Sequence, residues 1–199
     1  MTRRRIAALA FGLTLLGAAA QAQTPTRLRG TIATVEPEAL TVTTTAGAQV
    51  TVALNEPLTV LAVVEIAMSD IKAGSNVGIA SLQQPDGTLR AVEVTLIQPG
   101  RPVTQTNSAW DLAPNSRMTN GAVNELVAAT DGRTLTVNYG AGEQKIVVPD
   151  GTPLVTLMPA DRAMLTQGAH IVVFGRKAED GKLTANGIAV GKDGLTPPM

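Results

Sequence analysis

The chain contains no cysteine, which removes disulfides, thiolate nucleophiles, sulfur-ligated metal sites and a lipid-modified cysteine together. Stability therefore has to come from packing alone. Histidine occurs once, as His170, and aromatic residues make up 2% of the sequence. Zinc and related metals want histidine, cysteine and carboxylate ligands converging at fixed spacing, and that set is missing. Sites for unpaired nucleic acid stack bases on aromatic faces, and sugar sites use the same surfaces, so neither ligand is favoured. After the first twenty residues no apolar run reaches spanning length. The most apolar, Val60 to Met68, is short and is interrupted by Glu65, whereas a membrane helix needs about 20 apolar residues.

What is present at the start is a secretory pattern. Arg3, Arg4 and Arg5 precede an uncharged stretch from Ile6 to Ala20, and Ala20-Gln21-Ala22 before Gln23 fits an A-x-A cleavage site. Residues 1–22 are expected to be a cleaved signal peptide, with an uncleaved anchor as the competing reading of the same segment. Thr2-Arg3-Arg4 hints at a twin-arginine signal, but the residues after it match that pattern poorly, and ordinary secretion to the periplasm or beyond is expected. Cleavage removes three of sixteen basic residues and none of sixteen acidic ones, leaving 13 against 16 and a net charge of −3. A weakly acidic chain has no electrostatic pull toward nucleic acid or an anionic membrane.

The rest of the chain compares well with itself. Gly30-Thr31-Ile32 and Leu40-Thr41-Val42 return as Gly121-Ala122-Val123 and Leu135-Thr136-Val137. Ala46-Gly47-Ala48-Gln49 returns as Ala141-Gly142-Glu143-Gln144, Pro57-Leu58 as Pro153-Leu154, and Gly74 as Gly168. Asp86-Gly87-Thr88-Leu89-Arg90-Ala91 then matches Asp180-Gly181-Lys182-Leu183-Thr184-Ala185. The mature chain therefore divides into a first repeat at 23–97, a linker at 98–120, a second repeat at 121–191 and a tail at 192–199.

Within each repeat the apolar residues alternate as in half-buried strands: Val50, Val52 and Leu54 on one face, and Val92, Val94 and Leu96 on one face. Asp86-Gly87, Asp131-Gly132 and Asp180-Gly181 fall between such runs, where glycine supplies the positive φ of a hairpin. One short helix per repeat is expected, around Met68 to Ala73 and Ala160 to Thr166, with Ser69 and Pro159 near their starts. The expected fold is all-β: two tandem small barrels, closed or partly closed and close to the oligonucleotide/oligosaccharide-binding (OB) shape, each with one short helix. Closure hides edge strands, and a unit this small is marginal alone, so the two copies are expected to pack together. In the linker, Trp110-Asp111-Leu112 is too apolar to leave in water; Trp110 is expected to dock on a barrel, and Asn120-Gly121 to turn into the second copy.

The pattern resembles an uncharacterised family of bacterial exported small β-barrel repeats, a domain of unknown function. The resemblance rests on Gly30-Thr31-Ile32, Leu40-Thr41-Val42, Lys72-Ala73-Gly74 and Asp86 to Ala91, with a looser fit at Thr166-Gln167-Gly168. The segments Trp110 to Leu112, Met118 to Gly121 and Gly191 to Met199 are similar to a two-repeat subgroup. The resemblance implies no catalytic or binding residues. Similar chains are sometimes labelled metal-transporter permeases, which conflicts with a mature part lacking several spanning helices; an accessory role beside such a transporter is left open.

Other constellations read as structure. His170 precedes the run Ile171 to Phe174 and is a strand-edge residue in preference to a ligand. Gly74-Ser75-Asn76-Val77-Gly78 puts serine one place early for a nucleophile elbow. Gly175 to Lys182 is one residue too long for a phosphate loop and ends before Leu183 instead of a hydroxyl. Gly140-Ala141-Gly142 joins strands and does not open a helix. Glu36 with Glu38, Glu179 with Asp180, Lys72, and Arg176 with Lys177 are turn or edge charges. No catalytic, cofactor-binding or metal residue is assigned and no cofactor is expected. The leading expectation is a non-enzymatic envelope protein that binds or scaffolds another protein or a small ligand. The alternative is a periplasmic solute- or metal-handling accessory of a transporter, using weak oxygen ligands.

Overall fold

A computed structural model describes residues 24–128 and 132–198. The expected signal peptide and Asp131 lie outside these residues. Twelve strands are formed among them: β1 (Thr24–Val35), β2 (Ala39–Thr44), β3 (Gln49–Glu65), β4 (Asn76–Gln83), β5 (Leu89–Ile97), β6 (Thr106–Ala109), β7 (Ser116–Ala128), β8 (Arg133–Asn138), β9 (Glu143–Val148), β10 (Leu154–Pro159), β11 (His170–Lys177) and β12 (Leu183–Gly191). The chain is all-β, as its alternation requires.

The strands close into five-stranded barrels whose membership crosses the sequence halves. One barrel runs β12-β11-β1-β2-β3 and is closed by the parallel pairing of β12 with β3. The other runs β5-β4-β7-β8-β9, closed by a shorter parallel pairing in which Leu89 meets Ile146 and Arg90 meets Val147. The expectation that residues 23–97 and 121–191 each complete their own barrel is thereby corrected: each half supplies three strands to one barrel and two to the other. The cause lies in β3. At 17 residues it is about 55 Å long, which carries the chain out of the first barrel before it can turn. Its far end pairs with β10, Val63 opposite Leu157, and only Ile66 to Ser75 separate it from β4. That connection delivers the chain to the second barrel.

Corresponding contacts tie the halves in both directions. The Gly74 N–H donates to the Val123 carbonyl at 2.7 Å, and the Gly168 N–H to the Ile32 carbonyl at 2.8 Å. The helices expected before these glycines are single 3₁₀ turns, Met68–Asp70 and Arg162–Met164. Their caps are the Asp70 carboxylate, which accepts from the Ala67 N–H, and that of Asp161, which accepts from the Ala163 N–H. A longer helix would draw the glycine N–H groups away from the strands that use them.

Each barrel has its own core: Ile32, Leu40, Val42, Val52, Ile171 and Ile188 fill one, and Val77, Ile79, Val94, Leu135, Val137 and Ile146 the other. The alternation expected through Val92, Val94 and Leu96 breaks at a bulge. Ala80 pairs with Glu93 but Ser81 with Ala91, so Val92 is skipped, and Ala91, Val94 and Leu96 pack on the core. Gly30 and Gly121, which open the repeated G-[TA]-[IV] pattern, face inward; a Cβ would overlap the carbonyl of Thr43 in one case and of Asn138 in the other. Asp86-Gly87 and Asp180-Gly181 are hairpin tips. Asp86 Oδ1 accepts from the Thr88 N–H and Asp180 Oδ1 from that of Lys182, with Gly87 and Gly181 at φ of 84° and 85°. Asn120-Gly121, expected to be a turn, lies inside β7, because β6 from the linker has already formed a hairpin with it.

Candidate functional site

Most residues singled out in the sequence remain apart. Glu36, Glu38, Lys72, Arg176, Lys177, Glu179 and Asp180 are exposed on turns and strand ends. Ser75 Oγ accepts from the Lys72 N–H within its turn. Asn138 Oδ1 accepts from the Gly140 N–H at the tip joining β8 and β9. Among the described residues no group of three or more His, Asp or Glu is placed to hold a metal ion.

His170 is different in its surroundings. It begins β11, and its outward-facing side chain stands in a cross-strand row with Thr31 of β1 and Thr43 of β2. Thr31 Oγ1 and His170 Nδ1 are in hydrogen-bond contact at 3.1 Å. The row lines a groove of about 550 Å³ outside the first barrel, together with Thr44 and Thr45, Leu112 from the linker, and Thr196, Pro197 and Pro198 of the tail. Arg29, two positions before Thr31 on the same face, closes one end. The lining holds no carboxylate. Its volume lies in the range of small-molecule sites, which combine apolar walls with a few placed polar groups.

The linker forms a strap beside this groove. Trp110 lies under the Arg27 guanidinium, 3.9 Å from carbon to ring centroid, a cation–π geometry. Asp111 bridges Arg29 at 3.0 Å and Arg27 at 3.4 Å. Burial raises the Asp111 carboxyl, but hydrogen bonds and charge from Arg29, and then Arg27, outweigh it and hold it below the ordinary range. The other face of Trp110 borders a cavity of about 200 Å³ shared with Thr95, Met118 and Leu157. Emission from this single tryptophan is therefore expected to be blue-shifted from hydrated indole, and Arg27→Ala to move it toward the red. Native emission typical of water-exposed indole would refute the docking.

Behind the strap sits a residue that sequence reasoning missed. Glu93, on the outer face of β5, is 1% exposed. Its Oε1 accepts from Thr95 Oγ1 at 2.6 Å, while Oε2 is buried without a partner. Burial pushes its carboxyl up to about 7, against the opposing pull of the Thr95 hydroxyl and the Arg29 charge. The Nε of Arg29 is likewise buried without an acceptor. A glutamate at an outward strand position reads as solvated; only the coverage of this seam buries it.

No family model matches the chain, and no curated protein or solved structure does either. The geometry of this groove, strap and seam is therefore the ground on which function is argued.

Proposed function

We propose that the chain is an exported, non-enzymatic binding module of the cell envelope, and that its small ligand occupies the groove beside His170. In this reading the mature part is two tandem copies of one OB-like β unit exchanging their last two strands, consistent with the resemblance to exported small β-barrel repeats.

The observation that carries the reading is a difference between corresponding rows. His170, Thr31 and Thr43 stand side by side on one barrel; at the matching register of the other stand Asn76, Ala122 and Asn138. What both copies share, such as the inward glycines and Asp-Gly tips, builds the barrel. A histidine and two hydroxyls present in only one copy are not needed for that, and they line the groove.

The polar pair supports binding over catalysis. Thr31 and His170 have the spacing of a hydroxyl and a base, but such a pair needs a group that orients the base and donors aimed at developing charge. The neighbouring Ile32 N–H is already committed to the Ala169 carbonyl at 2.9 Å. Among the described residues no carboxylate is recorded in hydrogen-bond contact with the ring. The second reading, a metal-handling accessory of a transporter, has no group of three or more His, Asp or Glu to rest on among the described residues.

A thermal-shift panel of small solutes and divalent cations separates these readings, since a ligand that binds only the folded form raises Tm. The binding module predicts saturable shifts with a class of organic solutes that are lost when Leu112→Asp places a charge in the groove wall. Shifts confined to divalent cations would favour the accessory reading and overturn this one.

A further inference from the structure

We propose that the groove takes a small organic carboxylate, with its acidic group on Arg29, Thr31 and His170 and its apolar body against Leu112, Pro197 and Pro198. The inference rests on the binding-module reading and names the chemical class of its ligand.

Three features select that class. The ionisable and hydrogen-bonding groups of the lining are a guanidinium, an imidazole and threonine hydroxyls, and the nearby carboxylate of Asp111 is outnumbered by Arg27 and Arg29. Arg29 is the cation of the lining, and guanidinium matches carboxylate geometry better than any other side chain. Its Nη2 already holds Asp111 at 3.0 Å, but that carboxylate is 42% exposed, so a ligand carboxylate is expected to share or displace this pair. A cationic ligand would meet Arg29 unfavourably; a neutral amide would satisfy the hydroxyls but forgo the charge-assisted bond.

The walls decide the rest. Leu112, Pro197 and Pro198 give one side of the groove an apolar surface that inorganic phosphate would leave unused. An acid with a hydrocarbon or aromatic body uses both sides.

The test is calorimetric titration and thermal shift on the full mature chain with benzoate and phenylacetate, against benzamide, benzylamine and inorganic phosphate. Two variants copy the corresponding row of the other barrel and so keep a backbone-compatible residue: Thr31→Ala and His170→Asn. The carboxylates are expected to bind saturably and to raise Tm, with benzamide and benzylamine at least about tenfold weaker, the worth of one charge-assisted bond. Each variant is expected to melt as the wild type does without ligand and to bind the carboxylates about tenfold more weakly. Equal binding of amide and acid, binding of phosphate in preference to both acids, or unchanged affinity in both variants overturns the proposal. If benzamide or benzylamine binds and the variants abolish it, the ligand class falls while the binding module stands. If no probe binds, both fall.

Discussion

A single cut in the linker, at a protease site inserted between Gly100 and Pro102, is expected to leave one particle that elutes at the mass of the uncut chain and separates into fragments only in denaturant. The reason is the strand membership. The amino-terminal fragment holds β1 to β5 and the other holds β6 to β12, yet one barrel needs β11 beside β1 and β12 beside β3, and the other needs β4 beside β7 and β5 beside β9. Separating the fragments would strip paired edges from both barrels at once and open both cores. Each fragment alone leaves strands such as β1 and β4 with unmatched hydrogen-bonding edges, the condition that promotes aggregation. Isolated fragments are expected to lack a cooperative melt and to regain one on mixing. Fragments that fall apart in native buffer and melt cooperatively alone would show that each half closes by itself.

Glu93→Gln is expected to stabilise the protein at alkaline pH and to change it little at acidic pH. The Glu93 carboxyl is raised from its ordinary value of 4.5 to about 7 in the folded chain, so between these values the folded state holds a proton that the unfolded state has released. Stability is therefore greatest below pH 4.5 with respect to this group, and declines as pH rises through 7. The slope approaches about 1.4 kcal/mol per pH unit, and the accumulated loss is on the order of 3 kcal/mol above the folded pKa. Glutamine keeps the shape and the bond to Thr95 but never ionises. Its advantage at about pH 8 corresponds to a Tm higher by roughly 6–12 °C for a chain this size. Chemical denaturation across the range would read the effect as a difference that grows with pH. A constant offset between the two proteins would dismiss it.

The strand pattern was legible because alternation and turn chemistry are local. Val52 and Val94 are fully buried as their faces required, and the Asp86-Gly87 and Asp180-Gly181 tips carry the side-chain bonds expected of such turns. The exchange between barrels was not legible, since the same strands in the same order serve either arrangement. The decisive quantity was the uninterrupted length of β3, of which only the stretch through Val50, Val52 and Leu54 showed as a strand in the sequence. His170 was visible only as a lone residue: Thr31 lies 139 positions away, and nothing local announces their pairing. Glu93 left one trace. Aligning the two Asp-Gly tips places it opposite Gly187, a substitution of a charge for a hydrogen at one shared position, which marks it as something other than barrel construction.

The exchanged strands also govern when the molecule can assemble. During synthesis β1, β2 and β3 emerge first, but their barrel stays open on both flanks until β11 and β12 follow, more than a hundred residues later. Long-range pairing of this kind is slow, because loop closure comes before the contacts that reward it. A growing chain of this design therefore leaves the ribosome's exit with its first module unfinished, and acquires its native form only after the last strand is free.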